Sequence, residues 1–123
     1  MAKILLIDDE DLVVKSLEKL LRKEGYEVIS VRNGLEAIDK VKETDFDLII
    51  TDIRMPQLNG IETLVRIRDV SKQMGRTQIP ELCITGYADE EINKKAEQIG
   101  VADYLYKPFD LRDFLSCVKK HIK

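Results

Sequence analysis

Three aspartates that follow two short apolar stretches are the residues whose types and spacing suggest chemistry. The stretch KILLI, residues 3–7, runs directly into Asp8 and Asp9. The stretch DLIIT, residues 47–51, runs into Asp52. Buried parallel strands read as unbroken apolar runs, and the ligand site of an open α/β sheet lies beyond the carboxyl ends of its strands. Because clustered carboxylates repel one another, three converging acids imply a bound cation, a retained proton or a reaction that consumes the charge.

Strand-like and helix-like segments alternate five times along the chain, and they predict how these acids are positioned. We expect strands near the following segments: Lys3–Ile7, Glu27–Val31, Leu48–Thr51, Leu82–Thr85 and Ala102–Leu105. Strands that alternate with helices imply right-handed crossovers and a parallel sheet covered by helices on both faces. The predicted fold is α/β, a doubly wound five-stranded sheet of flavodoxin-like order 2-1-3-4-5, in which the first and third strands are neighbours.

Apolar residues at helical spacing predict the intervening helices. The second helix should follow Asn33, the third should follow Asn59, and Asp110 should cap the last. We expect the helices to bury an apolar face that includes Val14, Leu17, Leu21, Leu35, Ile38, Val41, Ile61, Leu64, Val65, Ile92, Ala96, Ile99, Leu111, Phe114 and Val118. The polar segment Ser71–Ile79 is predicted to be a helix end followed by a solvated loop.

Composition bounds the class of protein. The 123 residues have the size of one domain, which we predict to span 1–123. The net charge of -3 comes from 20 basic and 23 acidic residues that are mixed along the chain, which predicts no nucleic-acid surface. We expect no membrane contact and a cytoplasmic location, because the first apolar run is far shorter than the ~18 residues of a membrane span. Cys83 and Cys117 lack metal-ligand spacing, which predicts two buried, reduced thiols.

Polar residues also end the last two predicted strands, where Thr85 and Lys107 stand. Mg²⁺ prefers carboxylate oxygens, and it would relieve the repulsion among the acids. Lysine supplies a positive charge for phosphate oxygens, and a threonine hydroxyl supplies a neutral donor. A carboxylate can itself be a nucleophile that becomes an acyl phosphate. Asp52 is the best candidate for that role, because it stands alone at its strand end.

Four motifs in this order resemble the receiver domain of bacterial two-component response regulators. They are IDDE at residues 7–10, TDIRMPQLNG at 51–60, ITGYADEE at 84–91 and GVADYLYKPFD at 100–110. Each motif alone is weak, but the four together cover the predicted strand ends. The resemblance extends over nearly all of the chain.

The resemblance implies a metal site and a phosphate acceptor. Asp52 is similar to the aspartate that is phosphorylated in this family. Asp9 takes the place of a direct ligand of Mg²⁺, and Asp8 assists it. The metal site is completed by Asp52 and by the backbone carbonyl of Arg54.

The same resemblance implies a switch. Thr85 matches the hydroxyl that is drawn to the phosphoryl group, and Lys107 matches the lysine that pairs with it. Tyr104 matches the aromatic residue whose ring then moves inward. The peptide before Pro108 matches a cis bond of the family, and Gly60 fits the loop that follows the acceptor.

The function implied by the resemblance is signalling without turnover of an external substrate. A histidine kinase or a histidine phosphotransfer protein donates the phosphoryl group to Asp52 in a Mg²⁺-dependent reaction. The fourth helix, fifth strand and fifth helix then repack and control a downstream partner or an effector domain that this chain lacks, with dimerisation as one outcome. The domain catalyses only its own phosphorylation and dephosphorylation. Leu12, which falls off the apolar face of the first helix, or Val13 is a candidate contact for the donor.

Three alternatives follow from the same residues. A haloacid-dehalogenase-type phosphohydrolase also uses an aspartate and Mg²⁺, but its DxDxT motif is not matched by DDEDL at residues 8–12. An FMN-binding electron carrier would need a phosphate loop rich in Ser, Thr and Gly where these acids stand. A pseudo-receiver that only binds partners is disfavoured, because every position of the site is retained.

Overall fold

The computed structural model describes residues 1–55, 57–86 and 90–122. Strands and helices alternate in the order β1 Lys3–Ile7, α1 Asp11–Lys23, β2 Glu27–Val31, α2 Gly34–Glu43, β3 Leu48–Asp52, α3 Gly60–Gln73, β4 Glu81–Thr85, α4 Glu90–Ile99, β5 Asp103–Tyr106 and α5 Leu111–His121. All strand pairs are parallel, and the strand order is β2-β1-β3-β4-β5. This order confirms the predicted doubly wound α/β fold.

The sheet separates two apolar clusters. Residues of α2, α3 and α4 pack with Leu5 and Ile7, whereas residues of α1 and α5 pack with Ile4 and Leu6. Successive side chains of a strand point to opposite faces, so β1 contributes to both clusters. The central strands β3 and β4 are buried at every position, while the edge strands β2 and β5 are partly exposed. The unbroken apolar runs are therefore those of central strands.

Three strands differ from the prediction by one residue at an end. β3 ends on Asp52 rather than Thr51, β4 begins at Glu81 rather than Leu82, and β5 runs from Asp103 to Tyr106 rather than from Ala102 to Leu105. Lys107 therefore follows its strand directly.

Three helical residues that were predicted to be buried are exposed. Leu35 is 50% exposed, Val65 is 41% exposed and Leu111 is 50% exposed. The buried stripe of α3 runs through Leu64 and Ile67. Because one helical position rotates a side chain by about 100°, Val65 turns away from that stripe. The sequence pattern was thus wrong at the borders of the apolar faces.

Side-chain caps fix where the helices begin. The side chain of Asn33 accepts a hydrogen bond at the start of α2, and that of Asp110 accepts one at the start of α5. At α3, Asn59 and Glu62 form a reciprocal capping box. These caps satisfy backbone N–H groups that the first helical turn leaves without partners.

The segment Ser71–Ile79 is more ordered than a solvated loop. α3 extends to Gln73, as the sequence predicted. Beyond it, the guanidinium of Arg76 donates to the carbonyl of Val41 and lies 2.9 Å from the carboxylate of Asp45. Arg76 therefore attaches this loop to the end of α2.

An ion pair between a buried carboxylate and a partly buried guanidinium joins three elements where β4 begins. Glu81 is 1% exposed, and both of its carboxylate oxygens accept hydrogen bonds from Arg68 of α3, one of them at 2.9 Å. The same guanidinium donates to the carbonyl of Ile99, at the end of α4. The sequence pattern did not predict this pair. It lies at the edge of the sheet where the strands begin, opposite to the predicted site.

The prediction of two buried thiols is correct for Cys83 and wrong for Cys117. Cys83 is buried and Cys117 is partly exposed, and both are free thiols.

None of the helices in the described part of the chain has the length and apolar character that a bilayer crossing requires.

Candidate functional site

Two aspartates lie side by side where β1 and β3 end. Ile7 of β1 is opposite Thr51 of β3, so the next residues, Asp8 and Asp52, are neighbours across the two strands. Asp8 is fully buried and Asp52 is 4% exposed. The strand order thus places two carboxylates in contact at a poorly hydrated position.

Lys107 brings a positive charge to these carboxylates. Its Nζ lies 3.3 Å from Oδ2 of Asp52, 3.4 Å from Oδ2 of Asp8 and 3.5 Å from Oε1 of Glu10. Its backbone N–H donates to the carbonyl of Thr85 at 2.6 Å, which ties it to the end of β4. The following peptide bond, to Pro108, is cis, as the sequence predicted. One ammonium group therefore lies among three acids.

Glu10 is the third acid of this cluster, and it was not among the site residues predicted from the sequence. Carboxylate oxygens of Asp8, Glu10 and Asp52 all lie within 4.8 Å of one another. Glu10 is the N-cap residue of α1, directly after the two aspartates, and this position was the available signal. Asp9, the predicted direct metal ligand, is exposed and lines a cavity of about 240 Å³ with Glu10, Asp52, Arg54, Gly86 and Lys107.

Burial dominates the electrostatics of the site. It raises the pKa of Asp8 to about 6, and repulsion from Asp52 adds to this effect, although the N–H of Glu10 and the charge of Lys107 oppose it. Burial also raises the pKa of Asp52, against the attraction of Lys107. Burial lowers the pKa of Lys107, but the attraction of Asp52 and Asp8 outweighs it and raises that pKa overall. The site therefore concentrates negative charge that one lysine does not neutralise.

We expect Asp8→Asn to stabilise the metal-free protein. Folded Asp8 binds its proton more tightly than the unfolded chain does, so the free energy of unfolding falls as the pH rises from about 4 to about 6 and stays lower above that. This difference in pKa corresponds to about 3 kcal/mol of unfolding free energy. Asp8→Asn also removes the ion pair with Lys107, so we expect it to recover only part of this amount. Urea unfolding in EDTA should show Asp8→Asn about 2 kcal/mol more stable than wild type at pH 7.5, with a weaker pH dependence.

Asp39→Asn, which changes an exposed aspartate of α2, is the control and should match wild type. If Asp8→Asn were no more stable than wild type at pH 7.5, the ionised carboxylate of Asp8 would not cost the folded protein the inferred stability.

Thr85 lies near the acids, whereas Tyr104 does not. Thr85 ends β4 and is 2% exposed, and its neighbour Ile84 is opposite Asp52. Tyr104 is a half-buried residue of β5 that does not line the cavity, and its hydroxyl bonds to Asn93 of α4. The predicted switch residues are therefore on neighbouring strands, and β5 connects Tyr104 to Lys107.

The loop after Asp52 needs glycine where it meets α3. The N–H of Gly60 donates to the carbonyl of Ile53 at 2.8 Å. A Cβ at this position would collide with the backbone carbonyl of Asp52. The start of α3 is thus held against the strand that carries Asp52. Pro56, another residue of the recognised motif, lies outside the described residues.

Comparison with known proteins assigns the chain to a family. Residues 4–119 match the model of the response regulator receiver domain. A homologue of the transcriptional regulatory protein CpxR from Haemophilus influenzae is 37% identical over 119 residues, which are 97% of this chain and 49% of that protein. Sporulation initiation phosphotransferase F of Bacillus subtilis is 30% identical over 98% of this chain and 93% of its own length. The chain thus spans about half of the first relative and nearly all of the second.

Solved structures agree with this assignment. The chemotaxis protein CheY4 of Vibrio cholerae has a TM-score of 0.89 and 30% identity, with 99% of both chains covered. The receiver domain of a sensor histidine kinase from Pseudomonas aeruginosa, which holds a magnesium ion in its active site cleft, has a TM-score of 0.83 and 27% identity, covering 98% of this chain and 96% of that one. The receiver domain of a Saccharomyces cerevisiae response regulator, solved with a histidine phosphotransfer protein, has a TM-score of 0.87 and 28% identity, covering 98% and 88%. Together with the acidic cluster at the ends of β1 and β3, these matches show that the chain belongs to the receiver domains of two-component response regulators.

Proposed function

We propose that Asp52 is the phosphate acceptor of this receiver domain and that its modification switches the surface formed by α4, β5 and α5. The observation that carries the proposal is the position of Asp52, which is nearly buried, within 3.3 Å of the ammonium group of Lys107 and beside Asp8. A carboxylate placed in this way can attack phosphorus while the lysine neutralises the phosphoryl oxygens.

The site fits Mg²⁺. Its donors are carboxylate oxygens, which are the ligands that this hard cation prefers. Burial raises the pKa of both Asp8 and Asp52, and three carboxylates face a single ammonium group, so a divalent cation would stabilise their charged forms. We propose Asp8, Asp9, Asp52 and the backbone carbonyl of Arg54 as the metal-binding groups, and Glu10 borders them. When bound, Mg²⁺ supplies charge neutralisation for the transferred group.

The proposed transfer is a displacement at phosphorus. A carboxylate oxygen of Asp52 forms a bond to the phosphorus of a phosphohistidine, and the P–N bond breaks with its electron pair returning to the imidazole. Lys107 remains within reach of the phosphoryl oxygens, and the hydroxyl of Thr85 becomes a donor to them. The signal ends by hydrolysis: water attacks phosphorus and releases inorganic phosphate, which restores the carboxylate of Asp52.

Intact-mass measurement after incubation with acetyl phosphate tests the proposal. We expect wild-type protein to gain one phosphoryl group in the presence of Mg²⁺ and to gain none in EDTA, because the metal and Lys107 are both needed to offset the charge of the acids. No adduct at any Mg²⁺ concentration would contradict the proposal. Release of phosphate from a simple ester over many turnovers would favour the phosphohydrolase alternative.

A phosphodonor surface lies next to the site. Leu12 is 83% exposed, and it lines a groove of about 340 Å³ together with Val13, Ser16, Leu17, Lys107, Pro108, Phe109 and Leu111. The yeast complex shows that a receiver domain of this fold binds a histidine phosphotransfer protein. We propose that a histidine kinase or a histidine phosphotransfer protein docks here. A Leu12→Ala protein that accepts phosphate from its kinase at the wild-type rate would remove this surface from the proposal.

The output of the switch is a protein contact rather than a turned-over substrate. The domain belongs to a family of signalling switches, and we propose that it catalyses only its own phosphorylation and dephosphorylation. The Haemophilus relative is about twice as long as this chain, which supports a linked effector domain, whereas the Bacillus relative has nearly the length of this chain, which supports a separate downstream partner. Dimerisation on activation and a cytoplasmic location stay predictions.

A further inference from the structure

Three side chains on α4 and β5 form a hydrogen-bonded group, which we term the Asn93 trio: Asn93, Tyr104 and Tyr106. The hydroxyl of Tyr104 donates to Oδ1 of Asn93 at 2.5 Å, and Nδ2 of Asn93 donates to the hydroxyl of Tyr106 at 2.8 Å. The two rings are tilted by 57°, and their centroids are 5.1 Å apart. A single amide therefore holds both tyrosines of β5 against α4.

The Asn93 trio is connected to the phosphorylation site through β5. Tyr106 is opposite Thr85 in the pairing of β4 with β5, and Lys107 follows Tyr106 directly. Tyr104 packs against the apolar cluster beneath α4. A displacement of Thr85 or Lys107 thus reaches both tyrosines over at most three residues of backbone.

The trio occurs in a conformation in which the hydroxyl of Tyr104 bonds to Asn93 of α4 and Lys107 pairs directly with the carboxylate of Asp52. If the ring of Tyr104 turns inward, its hydroxyl leaves Oδ1 of Asn93, and that hydrogen bond has to be replaced or lost. The hydrogen bonds of Asn93 therefore favour the conformation in which Tyr104 contacts α4 over one in which its ring turns inward.

We propose that Asn93 is a positioning residue that opposes switching. Its amide holds Tyr104 and Tyr106 to α4 and so sets the fraction of unmodified protein that reaches the switched conformation. This inference rests on the proposed function of Asp52. It assigns to one side chain of α4 a control over the ease of activation, without any contact to the phosphoryl group.

Beryllofluoride, a non-covalent mimic of the phosphoryl group, tests the proposal in the presence of Mg²⁺. The chain has four tyrosines and no tryptophan, so its ultraviolet fluorescence reports on tyrosines, two of which belong to the trio. We expect Asn93→Ala to bind beryllofluoride about fivefold more tightly than wild type, because the variant has no Asn93 hydrogen bonds to break when it switches. Tyr106→Phe, which keeps the bond between Tyr104 and Asn93, should give a smaller increase.

Two measurements distinguish this role from a merely structural one. Gln98→Ala changes an exposed amide of the same helix and should leave the affinity unchanged. In amide NMR spectra without metal or beryllofluoride, the α4 and β5 signals of Asn93→Ala should move toward their positions in beryllofluoride-bound wild type. Loss of packing alone would displace them in other directions.

The outcomes separate this inference from the proposed function. If wild type binds beryllofluoride and Asn93→Ala binds it with equal or weaker affinity, the role of Asn93 is overturned and Asp52 keeps its own. If wild type does not bind beryllofluoride in Mg²⁺, the proposed function fails and the role of Asn93 fails with it.

Discussion

Asp52→Asn should carry no phosphoryl group after incubation with acetyl phosphate and Mg²⁺, under conditions in which wild type carries one. The replacement keeps the shape of the side chain, but an amide lacks the nucleophilic oxygen and the charge of a carboxylate. Asp8, Asp9 and Glu10 remain in place, so loss of the adduct assigns the acceptor to one residue among four acids. Intact-mass measurement detects the change directly.

The control is again Asp39→Asn, which alters an exposed aspartate far from the cluster and should be phosphorylated like wild type. Unfolding does not account for the expected loss, because burial raises the pKa of Asp52 and its ionised form therefore costs stability. Asp52→Asn should be at least as stable as wild type in urea. An adduct that persists in Asp52→Asn would place the acceptor elsewhere.

Arg68→Ala should be the most destabilising single change outside the apolar core. It leaves the carboxylate of Glu81, which is 1% exposed, without its guanidinium partner. Breaking a buried pair in this way costs about 3–5 kcal/mol, because a charge stays buried without compensation. That is a large part of the ~5–15 kcal/mol by which domains are usually stable. Urea unfolding followed by circular dichroism measures the loss.

Removing both partners of this pair is the sharper test. Arg68→Met combined with Glu81→Met should recover most of the stability, since no buried charge remains. Arg66→Ala, at an exposed position of the same helix, should change the free energy of unfolding by less than about 0.5 kcal/mol. If Arg68→Ala behaved like Arg66→Ala, Glu81 would not depend on its partner.

The sequence predicted the fold well because its strongest signals are local. β3 and β4 are buried at every position, and such strands are readable as apolar runs. The acids at the ends of β1 and β3 were readable for the same reason, since a strand end is a local change from apolar to polar. The strand order then followed from general rules for parallel sheets.

Side-chain contacts between elements that are distant in the sequence could not be predicted. Arg68 contacts Glu81, which is 13 residues away, and Ile99, which is 31 residues away. Asn93 meets Tyr104 and Tyr106 only because α4 packs beside β5. Nothing in the local pattern marks these side chains, because charged and amide residues on helices are usually solvated. Glu10 is intermediate: its position beside two aspartates was visible, but its proximity to Lys107 was not.

The phosphorylation site and the Arg68–Glu81 pair lie at opposite ends of β4. Glu81 begins β4 and Thr85, beside the site, ends it, so the strand separates them by about 13 Å. Arg68 and Glu81 carry opposite charges in contact, so their effects on a charge at that distance largely cancel. Protein lifetime and the chemistry of phosphorylation can therefore be adjusted independently. A biosensor built on this domain can be made durable or short-lived by redesign at Arg68 and Glu81 while its phosphorylation chemistry is preserved.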